Sequence, residues 1–394
     1  MPVDLTYSAE DEAFRSEVRQ WLGDHLSGDF AELKGLGGPG REHEAHEERL
    51  EWDRHLAKHG WTCIGWPKEF GGRGLPLFQQ VIFHEEYARS EAPGRVNHFG
   101  EELLGPTLIA FGSDEQKARF LPPIVAVEEL WCQGYSEPGA GSDLANVSTK
   151  ARLDGDEWVV DGQKIWTSLA QFAQWCFVIA RTEPGSQRHQ GLSFLLVPMD
   201  QDGVDVRPIE QLTGGSEFNE VFFTGARTPK DLVVGAPGAG WSVAMGLLGY
   251  ERGVSTIGQQ VGFERELDVV VQHAKANGSY DDPLVRDRIV QARIGLDVMR
   301  LHALRTLSAA EPGPGDASVS KLVWANWHRS LGELAMTVLG QDGLAVESGD
   351  PYRVDRLQAL FLFSRADTIY GGSNEVQRNI IAERVLGLPK EPRP

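Results

Sequence analysis

The chain has 394 residues and a formal net charge of −19. That length excludes a single hydrophobic core and sets an expectation of two or three domains, while the acidic balance excludes nucleic acid as a bulk partner, because a phosphate backbone needs a basic face. Its three cysteines, Cys63, Cys132 and Cys176, are odd in number and set among apolar neighbours, which excludes a disulfide framework and points to buried thiols in a reducing, cytoplasmic compartment.

The opening segment, MPVDLTYSAEDEAFRSEV, has neither a basic start nor an apolar core, so no signal peptide is read there. Ser8 is placed as an N-cap, and Phe14, Val18, Trp21, Leu22 and Leu26 follow on one helical face. Further helices fit 44–59, 76–90, 103–111 and 114–126, giving an N-terminal helical domain over 1–127. Between 129 and 228 the period shortens. Runs such as ELWCQGYS, EWVVDGQKIW, WCFVIART, LSFLLVP and EVFFTG sit between Gly, Asp and Pro punctuation, which is strand chemistry and makes 128–230 a β domain. The uncharged run LVVGAPGAGWSVAMGLLGY, 232–250, is long enough to weigh as a membrane span. Pro237, five glycines and the Glu251-Arg252 pair that follows make it a loop entering a buried helix instead. Helical patterning then runs to about Leu386 with breaks at NGSYDDP, EPGPGD and SGDP, so 231–394 reads as a helical bundle. The expected fold is mainly α with a small central β-barrel-like domain.

Two stretches imitate functional motifs. GLGGPG at 35–40 matches the dinucleotide pattern GxGxxG, but it follows a helix rather than a strand and reads as a surface loop. EHEAHEE at 42–48 gathers His43 and His46 with acids. The spacing is not HExxH and no downstream ligand is evident, so a solvated charged face is expected and no metal site.

Chemistry concentrates elsewhere. CQGYSEPGAGSDLAN, 132–146, leaves a strand and places Ser136, Gly139, Gly141, Ser142 and Asp143 on a tight loop where amides and hydroxyls can face a flat or anionic ligand. GQKIWTSLA, 162–170, sets Trp166 beside two hydroxyls, Thr167 and Ser168, at a strand end. A stacking indole with polar neighbours suits a planar heteroaromatic cofactor, and equally a core Trp followed by a turn. Near the C-terminus, TIYGGSNEVQRN breaks an apolar helix with Gly371 and Gly372, either as a simple interhelical turn or because something approaches that backbone closely.

Together SEPGAGSD, WTS, YGGSNEVQR and WPKEFGGRG, in a helix, β, helix order over nearly the whole chain, resemble the acyl-CoA dehydrogenases. The resemblance implies a non-covalent FAD, with Ser136, Gly141, Ser142, Trp166, Thr167 and Ser168 at the flavin, Ser373 and Glu375 toward the rest of the cofactor, and Ser142, Tyr370 and Gly371 at the substrate. It implies removal of two hydrogens from an acyl-CoA, electrons passing to an electron-transfer flavoprotein, and a homotetramer or heterotetramer. An α-proton next to a thioester needs a positioned base and a polarised carbonyl. In most of the family the base follows the tyrosine of the C-terminal turn, where this chain has Gly371. A minority carries it in a Glu-Arg pair ahead of a long helix, which implies Glu251 as base, with Arg252 supporting it; burial there is expected to raise the carboxyl above about 4.3.

Departures cluster at the adenosine end. Where the family often has Arg, Phe and Gln, this chain has Asn277, Tyr280 and Arg288, with Thr337 and Gln341 further on. Either Arg288, Thr337 and Gln341 substitute, or a different subunit supplies the contacts. A same-fold flavin oxidase or monooxygenase, and a structural or regulatory subunit of a heteromer, stay open as alternatives.

Overall fold

The computed structural model describes residues 7–250, 255–307, 313, 315–346 and 354–390. The N-terminal layer holds α1 (Ala9–His25), α2 (His46–Lys58), α3 (Leu77–Arg89), α4 (Gly105–Phe111) and α5 (Asp114–Val125). Ser8 caps α1 as expected. Its Oγ accepts from Asp11 N at 3.1 Å while Asp11 Oδ2 accepts from Ser8 N at 3.0 Å, satisfying two of the helix's orphan donors. Phe14, Val18, Leu22 and Leu26 are buried with Trp52, Leu56 and Ile82. The helix expected over 103–111 is preceded by a π-turn at Phe99–Leu104. Pro106 has no N–H to continue the ladder, and the wider turn accommodates its loss.

The charged run 42–48 departs from the expected solvated face. Glu42, His46 and the following Arg49 are buried, with the Arg49 guanidinium on the Glu42 carboxylate at 3.1–3.2 Å and on its carbonyl at 2.6 Å. Charges at such close spacing can turn inward when they satisfy one another.

The middle layer is an eight-stranded sheet: β1 (Trp131–Gly134), β2 (Lys150–Asp154), β3 (Glu157–Ser168), β4 (Trp175–Arg181), β5 (Leu192–Pro198), β6 (Val204–Ile209), β7 (Phe218–Pro229) and β8 (Val233–Val234). The order is β6-β7-β3-β2-β4-β5-β8, with β1 parallel beside β4. One apolar cluster, with Tyr135, Phe177 and Phe194, packs on Trp66, Leu104, Leu108 and Leu247 of the flanking helices; another gathers Val160, Val178, Leu195 and Val221. β3 pairs with β7 through two irregularities, one of them between Lys164 and Thr167, around Trp166. Cys132 and Cys176 are cross-strand partners, and all three thiols are buried and free.

The C-terminal layer holds α6 (Gly240–Tyr250), α7 (Ser255–Ala276), α8 (Pro283–Leu307), α9 (Asp316–Leu339), α10 (Arg356–Asp367) and α11 (Asn374–Ile380). Leu267, Val270, Ile289, Leu334, Val338 and Leu360 form its core. The NGSYDDP break is a tight turn around Ser279–Asp281, and SGDP lies outside the described residues. No helix among the described residues is long and apolar enough to cross a membrane.

Candidate active site

The two glycine- and Trp-bearing stretches meet. Ser136 O accepts from Ile165 N at 2.9 Å, so the loop after β1 lies against the end of β3. Beneath them sits Lys164. Trp158, Val160 and Lys164 share the inner face of β3, so the strand's period of two sends a lysine into the core. Its Nζ donates to Tyr135 O at 3.0 Å, Ile179 O at 2.8 Å and Glu137 Oε1 at 2.9 Å, using all three protons of an ammonium. Glu137 also accepts from Ser148 N at 2.6 Å, Ser148 Oγ at 2.7 Å and Thr149 N at 2.9 Å. Burial pushes this carboxyl up, but Lys164 and those donors outweigh it and bring it down to about 2. The pair clamps SEPGAGSD to GQKIWTS.

Above the clamp the loop tip is open. Gly141 and Ser142 are exposed, Ser136 is half-buried, and a Cβ at Gly141 would meet nothing within 4 Å. Trp166 takes φ +60°, rare for a bulky residue, at the β3 irregularity, and the residue is 57% exposed, with an edge contact to Phe218. Next to it Thr167 is fully buried, yet its Oγ1 has no partner among the described residues. Ser168 pairs across to Phe218.

The C-terminal turn forms a second group. Gly371 and Gly372 have φ +61° and +84°, which explains why glycine stands at both. Gln377 Nε2 donates to Gly371 O at 2.9 Å, Ser373 caps α11 through Val376 N at 3.3 Å, and Glu375 is exposed. Tyr370 Oη donates to Asp367 Oδ1 at 2.6 Å, and Asp367 Oδ2 lies 2.5 Å from His328 Nδ1, whose Nε2 is 2.8 Å from Glu266 Oε2. Burial resists a charge on this imidazole, but Asp367 and Glu266 prevail and lift it to about 9. A histidine raised in the fold from about 6.5 stabilises fully below that pH and loses the contribution as pH climbs through about 9. Wild type is therefore expected to lose on the order of 3 kcal/mol of unfolding free energy between pH 6 and 10 through this group, a loss that denaturant titrations should find absent in His328→Gln.

Among the residues expected at the adenosine end, Arg288 Nη1 donates to Thr337 Oγ1 at 2.9 Å and Thr337 Oγ1 donates to Glu333 O at 2.9 Å; Gln341 is exposed on the turn after α9. Asn277 Nδ2 donates to Val338 O at 2.7 Å and its Oδ1 accepts from Ser279 N at 3.0 Å. Glu251 and Arg252 lie outside the described residues. Glu101 is held by Arg95 at 2.5 Å and by Cys63 N at 2.6 Å.

The acyl-CoA dehydrogenase N-terminal, middle and C-terminal domains match residues 8–128, 132–226 and 238–386. The chain belongs to the acyl-CoA dehydrogenase family. It is 64% identical to acyl-CoA dehydrogenase IpdE1 of Mycolicibacterium smegmatis, over 97% of this chain and 99% of that one. The protein of the same name from Mycobacterium tuberculosis is 65% identical over 96% and 98%. Among solved structures it resembles the Tcur3481-Tcur3483 steroid ACAD, with TM-score 0.83, 30% identity and 98% and 100% coverage. The ChsE4-ChsE5 complex from Mycobacterium tuberculosis follows at TM-score 0.81, 32% identity and 98% and 100% coverage.

This acyl-CoA dehydrogenase is an FAD-dependent oxidoreductase that acts on acyl-CoA. Its own residues fit the cofactor. A largely exposed tryptophan beside a buried hydroxyl with no partner among the described residues suits a ring that stacks on one side and hydrogen-bonds at its edge.

Sequence reasoning passed over the Lys164 to Glu137 pair, although a lysine in phase with Trp158 and Val160 was a legible signal. It also missed a cleft of about 450 Å³ lined by Asn146, Ser148, Lys150, Arg181 and Arg188, just beyond the SEPGAGSD loop. Arg181 Nη2 donates to Ala145 O, Val147 O and Arg188 O at 3.0–3.3 Å and shapes that cleft. Pairing of β2 with β4 sets Lys150 beside Arg181, and the loop after β4 folds Arg188 back onto Arg181.

Proposed function

We propose that this dehydrogenase binds the isoalloxazine of FAD against Trp166, Thr167 and Ser168, with Ser136, Gly141 and Ser142 at the ring's other edge, and that Glu251 takes the α-proton of the acyl-CoA. The exposed Trp166 beside the partnerless Thr167 Oγ1 is the observation that carries this reading. When bound, FAD would supply flavin N5 as the acceptor for the β-hydrogen, taken as hydride. The chain supplies the rest. Glu251 holds the carboxylate that removes the α-proton, Arg252 supports it, and Tyr370 and Gly371 border the acyl group. Gly371 removes a second carboxylate that would repel the first and fill acyl space. Ser373 and Glu375 lie toward the remainder of the cofactor, and Arg288, Thr337 and Gln341 serve its adenosine end.

Lys150 and Arg188 give the anionic phosphates of CoA a local basic cleft on a chain of net charge −19. The neighbouring structures bear the name steroid ACAD, which together with a side-chain-free Gly371 supports a bulky, ring-bearing acyl group. Pure protein is expected to be yellow and to bleach anaerobically under such an acyl-CoA, and Arg188→Glu should raise the half-bleaching concentration about tenfold without changing the limiting rate. A colourless protein that takes up no FAD on reconstitution overturns the cofactor reading.

The enzyme works in an assembly larger than a monomer, a homotetramer or heterotetramer. Val290, Ile294, Val298 and Leu301 recur on one face of α8 and are each half or more exposed, an apolar stripe that a monomer leaves wet. The similar ChsE4-ChsE5 complex joins two differently named chains, which favours a heteromer, as do the rewritten residues at the adenosine end. Light scattering at micromolar concentration, alone and after co-expression with a second subunit, is expected to give the tetramer mass in at least one case; monomer in both overturns it. Electrons pass to an electron-transfer flavoprotein, the buried free thiols fit the cytoplasm, and the domains divide at 1–127, 128–230 and 231–394.

A further inference from the structure

The C-terminal ends of α1 and α2 converge on three imidazoles. His25 is the last residue of α1, His55 lies in the last turn of α2, and His59 is that helix's C-cap. One ring nitrogen from each falls within 4.8 Å of the other two. His25 Nδ1 and His55 Nε2 are 2.8 Å apart, so one must carry the proton and the other a lone pair. His59 Nδ1 lies 2.9 Å from His55 O and donates to it, which fixes the tautomer and leaves Nε2 with its lone pair free to ligate.

Around them is an aromatic wall. Trp21 stacks on His25 with centroids 4.3 Å apart and lies 5.8 Å from His55 and 5.5 Å from His59, and Phe30 and Trp52 close on His55 at 5.2 and 5.8 Å. Burial, and then the neighbouring His59, His25 and Lys58, push His55 below its ordinary range. Two helix C-termini add partial negative charge from their unpaired carbonyls, which suits a cation.

We propose that His25, His55 and His59 form a site for one divalent transition-metal ion of the Zn(II) class, held by three imidazole nitrogens with water in a fourth position. Imidazole selects borderline ions such as Zn(II), Ni(II) and Cu(II), while Mg(II) and Ca(II) need oxygen ligands that the cluster does not offer. Metal–nitrogen bonds of about 2.0–2.1 Å set neighbouring nitrogens about 3.3 Å apart. The 2.8 Å pair then opens slightly and the third ring closes in, a rotamer adjustment for residues at two helix ends. The ion staples the end of α1 to the end of α2 and replaces a direct histidine contact with a coordinated one.

The test uses untagged, full-length holoenzyme, treated with chelator and titrated calorimetrically with ZnCl2. Expected are one ion per chain at micromolar affinity or better, a rise in melting temperature on loading, and visible Co(II) bands of a tetrahedral site. His59 is exposed and tolerates replacement, so His59→Gln and His25→Gln should each fold and bind at least tenfold more weakly. Wild-type protein that binds no Zn(II), or binding unchanged in the His25→Gln/His59→Gln double variant, overturns the site.

Discussion

Glu251→Gln is expected to keep FAD, bind acyl-CoA and lose flavin reduction by about 10,000-fold, the upper end of ordinary general-base contributions. The amide is nearly isosteric with the carboxylate but cannot accept the α-proton. No other carboxylate takes over in the turn where most of the family carries its base, because Gly371 stands there. Stopped-flow bleaching within about threefold of wild type would show that the base lies elsewhere. A complementary experiment moves the base: Gly371→Glu on a Glu251→Gly background should recover part of the rate, since both positions address the same α-carbon. Recovery will be partial, because φ at this position is +61° and a side chain there is strained by roughly 1 kcal/mol.

Lys164→Met is expected to destabilise the protein by about 3–5 kcal/mol, the usual cost of stripping one partner from a buried ion pair. Glu137 would keep its charge with no counter-ion, and Tyr135 O and Ile179 O would each lose a donor. The loop carrying Ser136 and Ser142 and the strand carrying Trp166 would no longer be tied together, so FAD content should fall as well. The Lys164→Met/Glu137→Gln double variant should be less destabilised than Lys164→Met alone, because it removes the stranded charge. Denaturant midpoints and the visible flavin spectrum measure both effects, and a single-variant loss below about 1 kcal/mol contradicts the clamp. The same pair fixes an acid response. Glu137, depressed in the fold to about 2, contributes stability that is complete above its unfolded value of about 4.3 and disappears as pH falls toward 2.

The sequence by itself determined the architecture and the chemistry. Period-3.6 and period-2 patterns depend on local backbone geometry, so the Ser8 cap, the helical face from Phe14 to Leu26 and the strands β1, β3, β4, β5 and β7 were legible without a partner in view. SEPGAGSD, WTS and YGGSN were legible for the same reason, each being a contiguous solution to a close backbone approach, and they carried the family. Tertiary structure decided what depends on residues far apart in the chain. Lys164 meets Glu137 across 27 residues and His328 meets Asp367 across 39, while the Glu42 to Arg49 pair is short-range yet turned inward by the packing around it. Lys150, Arg181 and Arg188 became a basic cleft, and His25 joined His55 and His59, only when strands and helices were laid side by side. Charge is cheap to place in water and costly to bury, so a charged residue's role is set by the partner that the fold brings to it, and no local pattern records that partner.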